Sequence, residues 1–483
     1  MNAAYKNIFK AVALFSSVQG LNILLNLIRT KLVALFLGPA GVGLSSIYNE
    51  TKELIHESTN MGMDQSGVRE VSVAYEHWKQ TGERERMDDS IMLVRSWVVI
   101  FALFGAAVCA LFSYPLSSMT FGNTEHWWGY VLLSPAVGLA TITCGEMAIL
   151  KATRQLKVIA SLSSISIIIG ICTSIPLYYL YGMKGIIPAL LLFGWCQMLT
   201  VLAFSYRKVP LRLKLNRVFL SIGKPMLLLG GALVLQGMIQ HGTKLGIRSF
   251  INTHGSLEHV GLFVATTTII STYLGIFASS LHTDFYPRLS GIFCDKTKRA
   301  LTVTSQIDVI QIFTAPLIAT FILGIHIIIP LLLSNEFNAL IPILSIALVS
   351  CLTRSIQQPM AFMPLAANEP KIYLLADILD CTIMFTSYTL CYSLWGLIGL
   401  GYGICIYNIL NVLWYMGVAK IRYSTLPNRR NIWFMLLQTT ILFATYMVST
   451  HLGGILYWLA GGITIICSST ISYYLFSTIK KEE

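Results

Sequence analysis

Arg29 and Lys31 stand in an otherwise apolar run, where they follow Asn22 and Asn26. Intervals of four and three residues place Asn22, Asn26 and Arg29 on one face of a helix. A second apolar run carries Gln236, Gln240, Lys244 and Arg248, each four residues from the last, and Arg354 lies in a third. An ionised side chain at the centre of a bilayer costs roughly 2.5–3.5 kcal/mol on insertion scales, so it persists where it meets a partner or a water-filled cavity. Guanidinium and ammonium groups placed this way suit the binding of an anion such as a phosphate. The plainer alternative is snorkelling of Arg29, Lys31, Lys244 and Arg248, with their stems in lipid and their heads at the outer interface. Glu50, Glu53 and Glu57 recur at three and four residues, with His56 beside them. That stripe is expected either to pair with the first-run cations as a cavity wall or to carry a proton for coupling. Glu146, Asp308, Asp377 and Asp380 are further acids in apolar runs, and Asp308 and Asp377 are expected in water near a cytoplasmic end.

No catalytic constellation accompanies these charges. The chain has no GxxxxGK[ST] phosphate loop, no GxSxG and no HExxH, so nucleotide hydrolysis, serine hydrolase and zinc protease chemistry are not expected. No cofactor and no metal site is expected either. None of the ten cysteines shows CxxC or Cys/His spacing, and nine of them fall in apolar runs, as small buried hydrophobes do. The net charge of +12 is scattered over short loops, which suits an anionic membrane leaflet better than nucleic acid.

The elements that must hold these residues follow from composition. Of 483 residues, 55% are hydrophobic and 12% charged, and the mean hydropathy is +0.68. A soluble protein carries about 25% charged residues. The chain is therefore expected to be an all-α polytopic membrane protein with about fourteen transmembrane helices of roughly 20 residues each. The spans are expected near 8–36, 42–63, 90–112, 128–150, 158–180, 185–206, 225–250, 259–283, 304–331, 340–364, 372–394, 397–419, 432–450 and 454–478. The apolar run after Lys10 continues past Gly20 with no small-residue cleavage site, so it reads as a retained first helix. Lys and Arg crowd alternate loops, from Arg69–Arg86 through Arg207–Lys224 to Lys420–Arg430, while the opposite loops contain only Lys184. The positive-inside rule then places both termini in the cytoplasm.

The basic loop Arg207–Lys224 divides the spans into an N-lobe over 1–217 and a C-lobe over 218–425, with an added helix pair over 426–483. The two lobes share a pattern, a cation-bearing helix end before a Gly-rich turn and a Val-Gly-Leu entry. It runs from Arg29 to Leu44 and again from Lys244 to Leu262. Transporters built from repeated halves commonly bind substrate between them. Gly399 and Gly403 form a GxxxG at which two helices are expected to approach closely.

Three segments resemble the Wzx-type O-antigen and polysaccharide flippases: Arg29-Thr-Lys-Leu-Val-Ala-Leu-Phe-Leu-Gly-Pro-Ala-Gly-Val-Gly-Leu44, Gly62-Met-Asp-Gln-Ser-Gly-Val-Arg-Glu70 and Asp284-Phe-Tyr-Pro-Arg-Leu-Ser290. The resemblance implies the multidrug/oligosaccharidyl-lipid/polysaccharide (MOP) exporter superfamily, with two pseudo-symmetric six-helix bundles around a central cavity. It implies an undecaprenyl-diphosphate-linked oligosaccharide as substrate, an O-antigen, capsule or exopolysaccharide unit of the bacterial inner membrane. It further implies polysaccharide polymerase and glycosyltransferases as partners. By helix order the resemblance maps the cavity cations to Arg29, Lys31, Lys244 and Arg248, and the polar positions read above add Arg354, Asn22, Asn26 and Gln236 as further expected lining. In related lipid II flippases the extra helix pair borders a groove for the lipid tail. A drug/cation antiporter of the same superfamily and a membrane enzyme of glycan assembly are the competing readings. An acid-dominated cavity would favour the first, and covalent change in a supplied glycolipid the second.

Overall fold

The computed structural model describes the backbone of residues 3–207, 224–273 and 285–482, with the side chains of residues 22, 24–155, 157–207, 234–272, 285–286 and 288–478. The loop 208–223, the expected boundary at 217/218, His282, Asp284 and the Gln19 side chain lie outside the described residues. Those described are helical apart from short connections and contain no strand. In chain order the helices are α1 (Ala3–Thr59), α2 (Met63–Thr81), α3 (Glu85–Leu111), α4 (Ser113–Phe121), α5 (Trp127–Ala152), α6 (Leu156–Tyr181), α7 (Ile186–Tyr206) and α8 (Lys224–His254). They continue as α9 (Leu257–Tyr273), α10 (Tyr286–Ile292), α11 (Lys296–Leu332), α12 (Ile341–Ser350), α13 (Arg354–Ala361), α14 (Met363–Ala366), α15 (Pro370–Tyr423), α16 (Arg429–His451) and α17 (Gly454–Glu482). Nine stretches of the described residues are long and apolar enough to cross a membrane.

Three of those stretches break at a glycine of positive φ. In α1 the break is Gly38, with φ of 61°, followed at once by Pro39. Glycine takes the left-handed conformation without a Cβ clash, and proline, with no N–H to lose, starts the next helix. The expected spans 8–36 and 42–63 thus become two arms of α1 joined at one residue. The α6–α7 connection is a single 3-10 turn, Gly182–Gly185. In α15 the break is Gly396, with φ of 59°. A Cβ on Gly399 would lie 2.0 Å from the Cys391 carbonyl oxygen, and one on Gly403 3.0 Å from that of Ser387. The chain therefore doubles back at Gly396, and the GxxxG provides the close approach. In lipid, where helix association rests on tight packing of small residues, Gly399→Ala is expected to cost about 1–3 kcal/mol as an overpacked site. The thermal midpoint in detergent checks this, with Gly417→Ala as control, because a Cβ there has no neighbour within 4 Å.

The chain forms two compact units, residues 1–253 and 254–483. In the first, α2 lies on α3 and α5. Its buried residues Met63, Gly67, Val71 and Ala74 recur at helical spacing and pack with Ile91, Val94, Val98, Phe101 and Ile149. The segment between the second and third spans is thus a helix, where the sequence suggested only a connecting segment. Beneath it, Arg95 of α3 and Glu146 of α5 form an ion pair at 2.7 Å, with a second contact at 3.0 Å. They are 3% and 4% exposed. Ser205 of α7 donates to Glu146 at 2.5 Å, and the Tyr206 ring lies 4.7 Å from the Arg95 guanidinium carbon. One polar knot ties three helices.

In the second unit α11 is the shared wall. Asp308 is 1% exposed and accepts from Arg430 at 2.8 Å and from Asn431 at 2.6 Å. The expectation that Asp308 is solvated is therefore wrong, because the start of α16 covers it. Gln438 of α16 and Ser468 of α17 exchange hydrogen bonds, with Gln438 Nε2 to the Ser468 carbonyl at 3.0 Å and Ser468 Oγ to Gln438 Oε1 at 2.8 Å. Gly461 of α17 leaves room for Leu323 of α11. The C-terminal pair is bound to α11 at both of its helices.

Candidate functional site

The second arm of α1 runs beside α8. Glu57 packs on the bare backbone of Gly237, where a Cβ would lie 3.2 Å from its carboxylate. His241 Nδ1 donates to Glu50 Oε1 at 2.7 Å. Arg248 forms an ion pair with Glu50 and donates to the Ser46 carbonyl at 3.0 Å. Ser46, Glu50 and Glu57 fall on one face of α1, and Gly237, His241, Lys244 and Arg248 on one face of α8, so the two helices meet along these stripes. Lys244 is exposed, and its charge acts on Glu50. The glutamate stripe therefore takes its partners from α8 and from its own arm, since Glu53 pairs with Lys52 at 2.9 Å. The expected pairing of Glu50 and Glu53 with the first-run cations is corrected accordingly. Position 241 carries the signal that could have identified this partner, standing three before Lys244 and seven before Arg248.

Arg29 is placed differently. Its guanidinium lies 5.6 Å from the centroid of the Phe193 ring on α7 and against Gly170 on α6. Tyr178 is close by, among Ser45 and Ser174. Among the described residues Arg29 has no ion pair and no hydrogen bond. It is thus a largely enclosed cation with unused donors. Asn22 on the same face is 8% exposed and accepts from Ser164 Oγ at 2.8 Å, Asn26 is exposed, and Lys31 and Gln236 are partly buried. Arg354 belongs to the second unit, where its Nε donates to Asn408 Oδ1 at 3.1 Å. Asp380, also there, accepts from Tyr407 at 2.9 Å and Asn411 at 2.5 Å. Gly170 and Phe193 were not legible as parts of a site, because glycine and phenylalanine are ordinary residues of apolar helices.

The far end of α8 is tied to α4. Ser249 Oγ donates to the Met119 carbonyl, and Asn252 Nδ2 to the Thr120 carbonyl at 2.9 Å. The last carbonyls of a helix have no partner within it, and here α8 supplies them. Replacing both residues by Ala is expected to remove two bonds worth about 1 kcal/mol each. Amide hydrogen exchange over residues 113–122 is then expected to quicken by roughly tenfold or more; unchanged exchange contradicts the tie.

Residues 78–342 match the profile of a family described as "Polysaccharide biosynthesis protein". The lipid III flippase of Escherichia coli K12 is 25% identical over 370 residues, covering 73% of this chain and 84% of that protein. Among solved structures, the lipid II flippase MurJ in an inward closed conformation superposes with a TM-score of 0.75 at 16% identity, covering 97% of this chain and 99% of that one. A multidrug resistance MATE transporter of the MOP superfamily, inward-facing, superposes with a TM-score of 0.59 at 15% identity, covering 83% and 94%. The fold is that of MOP-superfamily transporters, the chain is a multi-pass membrane protein, and its relatives are carriers rather than enzymes.

Proposed function

The chain belongs to the family of polysaccharide biosynthesis proteins, and on that premise we propose that it is a flippase for a lipid-linked oligosaccharide. The substrate is an undecaprenyl-diphosphate-linked repeat unit of O-antigen, capsule or exopolysaccharide, carried from the cytoplasmic to the periplasmic leaflet of the inner membrane. Both termini are cytoplasmic, and fourteen helices cross the bilayer as two lobes, 1–217 and 218–425, with the pair 426–483 added. The lobes expose the site alternately to each side.

The observation that carries this reading is Arg29, a guanidinium in a membrane helix with donors unused by the protein. A diphosphate meets a steep cost in crossing about 30 Å of hydrocarbon, and a planar fork of N–H donors offsets it by bidentate contact. Lys31 and Lys244 add charge, while Arg248 reaches substrate only by exchanging Glu50 for it. Asn22, Asn26 and Gln236 are polar lining. The names of the lipid III and lipid II flippases agree with a lipid-linked cargo.

Purified protein in liposomes, loaded on one face with a fluorescent polyprenyl-diphosphate oligosaccharide, tests the proposal. The lipid is expected to become accessible to an impermeant quencher on the other face, chemically unchanged. Efflux of a cationic dye without lipid movement supports the antiporter instead, and covalent change of the glycolipid supports an enzyme.

A further inference from the structure

We infer that Gly170 and Phe193 are the positioning residues of Arg29, holding its guanidinium for a phosphate without taking up its charge or its donors. This inference rests on the proposed role of Arg29 at the diphosphate. Two enclosed arginines of this chain are held by a carboxylate, Arg95 by Glu146 and Arg248 by Glu50, while Arg299 and Arg354 give their donors to neutral oxygens. A carboxylate fixes the fork and also neutralises it. Arg29 is fixed by other means. An ideal Cβ at position 170 would stand 3.1 Å from its Cζ and 3.3 Å from its Nε and Nη1. The guanidinium therefore lies against bare backbone of α6, so close that an alanine Cβ there would displace it by a few tenths of an ångström.

The second support is the Phe193 ring of α7, 5.6 Å from Cζ, which attracts a cation through its quadrupole and offers no acceptor. Guanidinium hydrogen bonds point outward in the plane of the group, whereas ring contacts use its faces. Both contacts thus restrict the side chain while its N–H groups stay available. A fork oriented before the ligand arrives loses less freedom on binding. Lysine, a point charge with no planar face, does not gain from such a seat.

The experiment uses the full chain in detergent micelles, with geranylgeranyl diphosphate as probe and geranylgeraniol as uncharged control, both titrated by intrinsic tryptophan fluorescence. Gly170→Ala and Phe193→Leu are each expected to weaken diphosphate binding by roughly tenfold and to leave the alcohol unaffected, while Phe193→Tyr keeps the wild-type affinity. In an Arg29→Ala background neither substitution is expected to change diphosphate binding further, because coupled residues are not additive. Equal losses in the two backgrounds, or losses shared by the alcohol, overturn the positioning role, since both mean that the residues act through packing. If Arg29→Ala weakens binding while Gly170→Ala and Phe193→Leu bind as wild type, the positioning role fails and the role of Arg29 stands. Wild-type binding by Arg29→Ala overturns both.

Discussion

Arg29→Ala is expected to lower glycolipid translocation by roughly 100-fold or more while the amount of protein in the membrane stays at the wild-type level. The magnitude follows from two charge-assisted hydrogen bonds to the diphosphate, each worth about 1.5–3 kcal/mol, with a factor of ten for each ~1.4 kcal/mol. The unchanged protein level follows from the structure. No carboxylate pairs with Arg29 among the described residues, so its removal leaves no orphaned charge behind. Arg29→Lys keeps the charge and loses the fork, and an intermediate rate is expected. Arg248→Ala offers the contrast, because Glu50 would lose its ion pair and keep only the His241 hydrogen bond and the more distant charge of Lys244, and both protein level and transport are expected to fall. Translocation in proteoliposomes, normalised to immunoblot, reads all three. A wild-type rate for Arg29→Ala would remove the anion-binding role from α1.

The second large effect belongs to Arg95 and Glu146. Breaking a buried ion pair by truncating one partner typically costs about 3–5 kcal/mol, because the other charge is left uncompensated. Here both groups are almost wholly enclosed, and the pair also orients Ser205 and faces Tyr206. Arg95→Ala and Glu146→Ala are each expected to reduce the thermal midpoint sharply and to deplete the protein from the membrane. Arg95→Met combined with Glu146→Leu removes both charges while keeping volume, so it is expected to recover much of the loss. Additive losses in the double variant would show that the two residues act separately.

Much of the helical architecture was legible because apolar runs between charged breaks are a strong signal; the run expected at 432–450 is helical over Arg429–His451. Spacing along one helix also put Asn22 and Arg29 on the stripe that meets α6, while Asn26, expected with them, is exposed. What spacing does not contain is the identity of the neighbouring helix. Glu50 meets Arg248 across 198 residues, and Ser205 meets Glu146 across 59. Each partner was visible as a charge or hydroxyl, and only tertiary packing selects among them. Asp308 shows the same gap from the other side, since its position near a helix end suggested water and the start of α16 supplies donors instead. The seat of Arg29 was silent for a further reason, that it is built from the absence of a side chain.

The clasp between Asp308 and the start of α16 makes the hairpin of α16 and α17 part of the second unit's own fold. A product ending at Pro427 would not simply be a shorter carrier. It would retain an aspartate on α11 without the Arg430 and Asn431 donors, and would bare the α11 surface now covered by α16 and α17. Removal of the hairpin is therefore expected to destabilise α11, and less so when Asp308 is replaced by an apolar residue in the same chain.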